Sequence, residues 1–415
     1  MNTPITIPSH CVPIPGWARS AVAAKDGAFH ALQPHEIAAP VLRSLLERTG
    51  TDAAWVDAVI LGNALGAGGN PARMTALAAG LPQDCAALTV DTQCCSGLDA
   101  VTLAAAMIAS GQADIVIAGG VEAWSRAPIR MTRPRHPDEA PQVFERPAFA
   151  PDPAQDPDLL AAAGAHASAL GITRAELDAY ALMSHERALQ AREGGQQPGE
   201  AAEIVTIAGI AGDTYPRRIA PERAARMPVV ACAGGDNPGS GGPGMSALTI
   251  SAKADGAALV MLASREACER HGLQTRAHWI AGTSVGSTPS MPLTAADKAA
   301  RKALELAGRR LLLAEPLAAD DMQAVELHDA FAVQGISFCR SLGLAQQQIN
   351  AGGGGLARGH PIGASGAIAL VRLLTELAQT RPSRRQAALG LAAIAGAGGI
   401  GAACVVACQQ AQESP

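Results

Sequence analysis

The sequence predicts an α/β protein made of two similar halves. Strand-like apolar runs alternate with helix-like runs, a pattern typical of parallel sheets with helices on their faces. The same order occurs twice. A helix follows residues 95–97 and a strand is expected at 113–118, and again a helix follows residues 364–366 and a strand is expected at 387–392. A Gly-Gly pair follows the strand in both halves, so we read the two units as an internal repeat.

Length and composition support a large globular core. The chain has 415 residues, of which 48% are hydrophobic but only 3% aromatic. The core is therefore expected to be built from aliphatic side chains rather than rings. The formal net charge of -5 argues against nucleic acid as the main partner. Four arginines cluster in the middle of the chain and suit a solvated face or an anionic cofactor equally well: Arg217, Arg218, Arg223 and Arg226.

Cysteine usage and the amino terminus predict a cytoplasmic protein. The nine cysteines are an odd number without disulfide-like spacing, which indicates reduced thiols. No Cys/His pattern typical of a metal site occurs. The first residues, Met1-Asn2-Thr3-Pro4, lack the basic start of a signal peptide. No apolar run is expected to span a membrane.

A compositional break separates the first half into two pieces. Residues 126–246 are rich in Pro, Arg, Asp and Gly, with helices expected only near 158–170 and 174–192. Strand pattern resumes at 248–250 and at 257–262. We therefore expect an amino-terminal half formed by residues 1–125 and 247–274, an inserted domain at 126–246 and a carboxy-terminal half at 275–415.

Cys94 is the first candidate functional residue. It lies in the run Asp91–Leu98, between a strand-like segment at 86–90 and a helix-like run at 98–108. A thiol at the amino-terminal end of a helix faces a positive field, which favours the reactive thiolate. Ser96 and Gly97 are small enough for a substrate to approach the backbone. A buried cysteine in a tight turn is the alternative.

Two histidines complete the candidate set. His360 ends a glycine-rich approach, residues 350–366, that opens an apolar helix at 367–377, and His328 follows a short apolar strand at 325–327. One cysteine and two histidines, each expected at the end of a strand, form a plausible nucleophile with activating and polarising partners.

These segments resemble the active-site loops of the thiolase superfamily, whose members make or break 3-oxoacyl-CoA thioesters. The resemblance extends through nearly the whole chain. Further segments that carry it are Asn70-Pro71-Ala72-Arg73, Ala118–Ser125, Gly171–Ala181 and Ala254–Ala258. It implies a thiolase-like fold of two βαβαβαββ halves in a five-layered α-β-α-β-α core, plus an inserted loop domain.

The resemblance also implies roles for individual residues. Cys94 would be acylated, His360 would take its proton, and His328 with His360 would stabilise an enolate oxygen. The backbone amides of Cys94 and Ala397 would form a second oxyanion hole. Ser251, Ala330 and Phe331 would line the tunnel of the coenzyme A pantetheine. The resemblance further implies a homodimer or homotetramer, a CoA thioester as substrate and no permanently bound cofactor.

Two departures limit the resemblance. Ala395 stands where the family carries a second cysteine, the acid/base for the substrate α-proton, and Cys404 lies too far along the next strand to replace it. General acid–base catalysis is typically worth ~10²–10⁴-fold, so ordinary thiolysis should be impaired. Residues 157–164 lack the motif of short-chain thiolases, which weakens acetoacetyl-CoA as the substrate.

We therefore expect a thiolase-like acyl-CoA acyltransferase of the C-acyltransferase class, working through acyl-Cys94. Its reaction would be C–C bond cleavage or formation, or acyl transfer. One alternative is a decarboxylative, ketoacyl-synthase-like condensing enzyme, which uses Cys, His and His and needs no base. An alternative of another class is a catalytically weak CoA-binding partner subunit.

Overall fold

The computed structural model describes residues 5–66, 68–193, 202–232, 244–379 and 387–408. The expectation about residues 1–4 lies outside these ranges. The described strands, in chain order, are β1 Val12–Ile14, β2 Gly16–Ser20, β3 Ala23–Ala24, β4 Ala58–Gly62, β5 Ala86–Val90, β6 Ile115–Ala123, β7 Arg130–Met131, β8 Val143–Phe144, β9 Ile204–Val205, β10 Ala254–Ala263, β11 Ala277–Gly286, β12 Ala324–His328, β13 Ala388–Gly396 and β14 Ile400–Cys408.

The described helices alternate with these strands in both halves. They are α1 Pro34–Thr49, α2 Pro71–Ala79, α3 Ser96–Ala109, α4 Leu159–Ala169, α5 Arg174–Arg192, α6 Pro221–Ala225, α7 Arg265–His271, α8 Ala295–Arg310, α9 Ala332–Leu342, α10 Gly355–Arg358 and α11 Ser365–Gln379.

Two mixed sheets form the core. The amino-terminal sheet has the order β5-β4-β6-β10-β2-β9, with β3 paired to β10, and the carboxy-terminal sheet has the order β1-β11-β14-β13-β12. Pairs joined by a helical crossover are parallel, as expected: β4 with β5 and β6, and β12 with β13. β13 and β14 are instead antiparallel, because a tight hairpin allows no other pairing.

The elements stack into five layers. α3 and α11 lie between the two sheets and pack with Trp17 and Trp279 into one apolar cluster. α1 and α2 cover the outer face of the amino-terminal sheet, and α8 and α9 cover the outer face of the carboxy-terminal one. The predicted α-β-α-β-α core is therefore confirmed. In the carboxy-terminal half, the strand expected before the His360 loop is reduced to one bridge between Val325 and Ile349.

Most predicted elements are confirmed, and one is wrong. The helix predicted at 174–192 matches α5 at both ends, where Thr173 caps the first turn with Glu176 in a reciprocal capping box. The strand predicted at 248–250 is a 3₁₀ turn, Ala247–Thr249. Leu248 and Thr249 of this turn are buried, and a short buried run has no periodicity that separates strand from turn.

Strand pairing crosses two of the expected domain boundaries, the one between the two halves and the one between the first half and the insert. β1 pairs with β11 of the carboxy-terminal sheet, and β9, from the inserted segment, pairs with β2. The insert contributes α4, α5 and α6 together with the β7–β8 ribbon.

A buried ionic network fastens the insert to both halves. Arg19 on β2 contacts Glu203 at 2.6 Å and Asp213 at 2.7 Å, and Arg372 on α11 contacts Glu203 at 2.9 Å. Arg358 lies 3.5 Å from Asp213. These side chains are 0–7% exposed, and buried charges are retained only when they are paired in this way.

One segment corrects the expectation about membrane spans. Ile362–Gln379, which contains α11, is long and apolar enough by composition to cross a membrane. It is mostly buried inside the protein, between the two sheets. Its apolar character is explained by this position in the central layer.

Candidate active site

Cys94 lies in a turn held by its neighbours. Gln93 adopts a left-handed backbone with φ of 57°, a conformation that costs a non-glycine residue about 1–3 kcal/mol. The Ser96 hydroxyl donates to the Gln93 carbonyl at 2.5 Å and accepts from the Thr92 amide at 2.9 Å. These bonds place the Cys94 side chain between the end of β5 and the start of α3.

The hydrogen bonds of His360 define which of its ring nitrogens faces Cys94. Its Nε2 lies 3.2 Å from Cys94 Sγ, and its Nδ1 lies 2.7 Å from Ser365 Oγ. Ser365 already donates its hydroxyl proton to the Pro361 carbonyl at 3.0 Å. The hydroxyl oxygen must therefore accept from Nδ1–H, which leaves Nε2 unprotonated and facing the thiol. His360 is thus set to accept the proton of Cys94.

The Cys94–His360 pair is neutral at rest. Burial raises the pKa of the Cys94 thiol to about 11, against smaller lowering contributions from the backbone amides of Ala397 and Cys94 itself. Burial also lowers the pKa of His360 to about 4. The expectation of a thiolate favoured by the helix is therefore wrong, because desolvation outweighs the field of the helix. The base within hydrogen-bonding distance of the Cys94 thiol is His360 Nε2, at 3.2 Å.

His328 stacks on His360. It ends β12, and the two ring centroids are 4.4 Å apart with an interplanar angle of 29°. A Cβ atom on Gly355 would lie 2.6 Å from the His328 ring, so only glycine leaves room for it there. Burial, then His360 and Arg358, hold the pKa of His328 well below its usual range. Its buried Nε2 makes no hydrogen bond to any described residue, so this atom can serve a ligand.

A small apolar cavity of about 90 Å³ opens beside Cys94 and His360. All three residues predicted for the CoA tunnel line it: Ser251, Ala330 and Phe331. Ser251 donates its backbone amide to the Ala330 carbonyl at 2.8 Å and its hydroxyl to the Gly355 carbonyl at 2.6 Å. His328 is not among the described lining residues, but it stacks on His360, which is.

The β13–β14 hairpin supplies another wall of this cavity. Ala395, Gly396 and Ala397 line it, and the backbone amide of Ala397 lowers the pKa of Cys94, an effect that burial outweighs. Cys94 is the only thiol among the described lining residues. Cys404 lies on β14, where it pairs with Ala392 on β13. It is fully buried and does not line the cavity.

His360 differs from its expected position in one respect. It follows α10 rather than a strand, and its backbone amide donates to the Ala252 carbonyl at 2.7 Å. Trp124 Nε1 donates to the His360 carbonyl at 3.0 Å. Backbone contacts with the amino-terminal half therefore position the loop.

Sequence reasoning missed the groups that hold the two halves together at the site. Glu122 accepts from the amides of Ala64 at 2.9 Å and Gly363 at 3.0 Å and from the Asn63 side chain at 2.8 Å. Burial raises the pKa of Glu122 to about 7. Glu122 stands inside a motif noted in the sequence, but its partner Gly363 is 241 residues away. Ser365 also stands inside a noted motif, and its partners His360 and Pro361 are close in sequence.

Close backbone packing brings the His360 loop to Cys94. The Gly363 carbonyl would lie 2.6 Å from a Cβ on Gly62 and 2.8 Å from one on Gly97. A Cβ on Gly120 would collide with the same carbonyl. Three glycines of the amino-terminal half thus allow the carboxy-terminal loop to approach.

Both halves of the chain match thiolase domain families. Residues 12–266 match the thiolase amino-terminal domain, and residues 273–408 match the thiolase carboxy-terminal domain. The chain belongs to the thiolase family. It is therefore an acyltransferase of the thiolase class.

Relatives and solved structures agree with this assignment. An acetyl-CoA acetyltransferase of Pseudomonas aeruginosa is 35% identical over 94% of this chain and 97% of its own length. A steroid 3-ketoacyl-CoA thiolase of Mycobacterium tuberculosis is 34% identical over 86% of both chains. The Bacillus anthracis acetyl-CoA acetyltransferase structure has a TM-score of 0.83 at 30% identity, covering 97% of this chain and 100% of its own.

An Ascaris suum thiolase solved with coenzyme A has a TM-score of 0.84 at 26% identity, covering 96% of this chain and 100% of its own.

In the present thiolase the arginines noted in the sequence are all exposed on the insert: Arg217, Arg218, Arg223 and Arg226. Arg218 pairs with Glu193 and Arg217 stacks on Tyr215. None of the four lines the cavity at Cys94.

Proposed function

We propose that this thiolase transfers acyl groups from CoA thioesters through an acyl-Cys94 intermediate. The observation that carries the proposal is the 3.2 Å contact between Cys94 Sγ and an unprotonated His360 Nε2. A nucleophile within hydrogen-bonding reach of a base, which is itself oriented by a third group, is the general arrangement for covalent catalysis.

The acylation step follows from this contact. The thiol proton moves to His360 Nε2 while Sγ forms a bond with the thioester carbonyl carbon. The backbone amides of Cys94 and Ala397 stabilise the oxyanion of the tetrahedral intermediate. The bond from the carbonyl carbon to the CoA sulfur then breaks, and the proton on His360 passes to the departing sulfur. Ser365 keeps the imidazole in the required tautomer throughout.

Cleavage of a 3-oxoacyl-CoA must deliver the Cys94 proton to carbon rather than to the CoA sulfur. When Cys94 attacks the keto carbon and the C–C bond breaks, the departing enolate must be protonated at carbon. His328 and His360 would hold the enolate oxygen. With Ala395 in place of a thiol, the proton that His360 took from Cys94 is the nearest one available among the described groups. Thiolysis should therefore be slow compared with acyl transfer.

A decarboxylative condensing reaction is the second candidate. Cys94 is the single thiol among the described residues of the cavity, and two stacked histidines lie beside it. Loss of CO₂ from a carboxylated acyl donor generates the enolate without a base, so this set would suffice. A CoA-binding partner subunit is the non-catalytic alternative, although such a subunit has no need of the Cys94–His360 contact.

The substrate and the assembly complete the proposal. The pantetheine arm would lie along Ser251, Ala330 and Phe331, with CoA as part of the substrate and no cofactor held permanently. β5 ends its sheet, and Leu88 on this strand is 44% exposed. An exposed strand at a sheet edge favours pairing with a second copy, and we propose a homodimer or homotetramer in the cytoplasm.

Intact-mass measurement after incubation with a panel of acyl-CoAs tests the proposal. The mass should rise by one acyl group, and peptide mapping should place it on Cys94. Cys94→Ser should abolish this gain, whereas Cys95→Ser, the adjacent buried thiol, should retain it. Acylation of Cys94→Ser at the wild-type rate would disprove the mechanism.

A further inference from the structure

A second apolar cleft lies beside the cavity at Cys94. Its volume is about 380 Å³, and its walls are α4 and the segment 290–294. The two spaces share Pro292 and Leu293 as walls. Leu159, the first residue of α4, lines the cavity at Cys94, while Ala161 of the same helix lines the cleft. The cleft therefore continues from the place where an acyl group on Cys94 would begin.

The chemistry of the cleft suits a hydrocarbon. Alanines at intervals of four residues, Ala161, Ala165 and Ala169, form its α4 wall. No Asp, Glu, Lys or Arg occurs among its described lining residues, so it offers no charged side chain to the phosphates of CoA at neutral pH. Burial lowers the pKa of the lining His166, which keeps this side chain uncharged at neutral pH. An apolar site with few polar groups is typical of small-molecule binding.

We propose that this cleft binds the tail of the acyl group, so that the enzyme prefers medium-length apolar acyl-CoAs over acetyl-CoA. The inference rests on the proposed acyl transfer through Cys94. A cavity of about 90 Å³ holds only a few atoms beyond the carbonyl. The adjoining 380 Å³ holds on the order of ten groups of methylene size, at roughly 30 Å³ each, the volume of a water molecule.

The described residues at the boundary between the two spaces are Leu159, Pro292 and Leu293, none of which belongs to a strand. Leu159 is partly buried and Leu293 is 6% exposed. Leucine side chains change rotamer readily, so these two can part for a chain without moving either sheet. The alternative occupant of this face is a second copy of this protein, packed against the exposed Ala165 and Ala169. The experiment distinguishes this occupant from an acyl tail.

The test compares acyl chain lengths in matched variants. Ala165→Phe fills the cleft from an exposed position on α4, and Ala179→Phe makes the same change at an exposed position on α5, outside the cleft. The rate of Cys94 acylation is measured by intact mass with acetyl-, hexanoyl-, octanoyl- and decanoyl-CoA. In the wild type the rate constant should rise roughly fourfold per added methylene until the cleft is full.

Ala165→Phe should slow octanoyl transfer at least tenfold and acetyl transfer less than twofold, and Ala179→Phe should alter neither. Equal rates for all chain lengths in the wild type would overturn the inference. So would an equal loss for acetyl and octanoyl groups in Ala165→Phe, which would assign the cleft to CoA. A change of oligomeric state by light scattering with an unchanged chain-length profile would assign it to a second copy.

Binding of S-octyl-CoA, a thioether that cannot acylate, separates this inference from the proposed function. Calorimetry should show tighter binding of S-octyl-CoA than of S-methyl-CoA to the wild type, and this difference should vanish in Ala165→Phe. If no acyl-CoA labels Cys94 but S-octyl-CoA still binds more tightly than S-methyl-CoA, the acyl-transfer proposal fails and the proposed binding of the tail in the cleft is retained. Equal affinities for the two thioethers would rule out the cleft.

Discussion

The hydroxyl of Tyr180 occupies the place where a Cβ atom on Gly335 would lie. Tyr180 belongs to α5 of the insert and Gly335 to α9. The same hydroxyl donates to the Asp329 carboxylate at 2.9 Å, and Asp329 directly follows His328. Burial raises the pKa of Asp329 to about 6. A glycine on one helix thus lets a tyrosine on another reach the loop of the active site.

Gly335→Ala should destabilise the protein by about 1–3 kcal/mol, the usual cost of overpacking a core. Helix propensity alone predicts the opposite, because alanine is about 1 kcal/mol better than glycine inside a helix. Gly308→Ala on α8, where a Cβ would meet Leu317 at an ordinary 3.6 Å, is the control and should be neutral or stabilising. Urea unfolding midpoints measure both variants.

A double variant checks the cause of this effect. Tyr180→Leu removes the hydroxyl and the ring atoms that collide with the new methyl group. The loss in Gly335→Ala with Tyr180→Leu should therefore be smaller than the sum of the single losses. Additive losses would mean that the two residues are not coupled.

The rate of Cys94 acylation by an acyl-CoA should vary little between about pH 5 and pH 9, because neutral His360 acts as the general base. His360, with a pKa lowered to about 4, is neutral and able to accept the proton above that pH, and the Cys94 pKa is raised to about 11. Between these values Cys94 remains a thiol and His360 a free base, so the fraction of this reactive neutral pair does not depend on pH. Below about pH 4 His360 becomes protonated and the rate should fall.

His360→Gln should convert this plateau into a slope. Without the base, only thiolate formed by solution titration reacts, so the rate should rise about tenfold per pH unit. Mass spectrometry of the labelled peptide, with Cys95→Ser as the control, confirms which thiol is measured. A wild-type rate that titrates near pH 8 would contradict the neutral pair.

Ala395→Cys should raise thiolysis of a 3-oxoacyl-CoA by ~10²–10⁴-fold, the usual contribution of a positioned acid/base. Ala395 lines the cavity with Cys94 and His360, so the added sulfur would enter that space. Acylation of Cys94 should change little, since the contact with His360 is untouched. Loss of the 3-oxoacyl-CoA enolate absorbance measures the reaction.

Ala395→Ser is the control for size. Its hydroxyl fits the same space but is far too weak an acid to shuttle the proton, so thiolysis should stay near the wild-type level. Fast thiolysis by the unmodified enzyme would show that another group, with His360 the first suspect, already supplies the proton.

Glu203→Gln should cost about 3–5 kcal/mol at pH 7, the usual penalty for breaking a buried ion pair. Burial favours the neutral acid, but Arg372 and Arg19 outweigh it and lower the pKa of Glu203 to about 2. Because this pKa is lower in the folded than in the unfolded protein, ionised Glu203 stabilises the fold at pH values above the unfolded pKa of about 4.3. This stabilisation is lost as the pH falls towards 2.

The difference in unfolding free energy between wild type and Glu203→Gln should therefore shrink between about pH 4 and pH 2. Glu193→Gln is the control. Its pair with Arg218 is 61–82% exposed, and such pairs contribute little. A difference that stays constant over this range would show that Glu203 is not ionised through its two arginines.

The sequence alone was sufficient for the local elements, the family and the candidate residues. α5 carries its own start signal in the Thr173–Glu176 capping box. β13 and β14 are runs of apolar residues, a local pattern that indicates buried strands. Cys94, His328 and His360 stand in motifs whose residue types already suggest their chemistry. Each of these signals lies within a few neighbouring residues.

Only the tertiary structure decided the chemical state of the site. The field of α3 suggested a thiolate at Cys94, but burial from both halves keeps it a thiol. The tautomer of His360 depends on a proton that Ser365 gives to Pro361. The space for Tyr180 depends on Gly335, 155 residues away. The acyl cleft we propose forms where α4 faces residues 290–294. Burial and empty volume arise between segments distant in sequence, and the proton direction at His360 depends on the backbone geometry of its loop, so the residue pattern alone contains none of them.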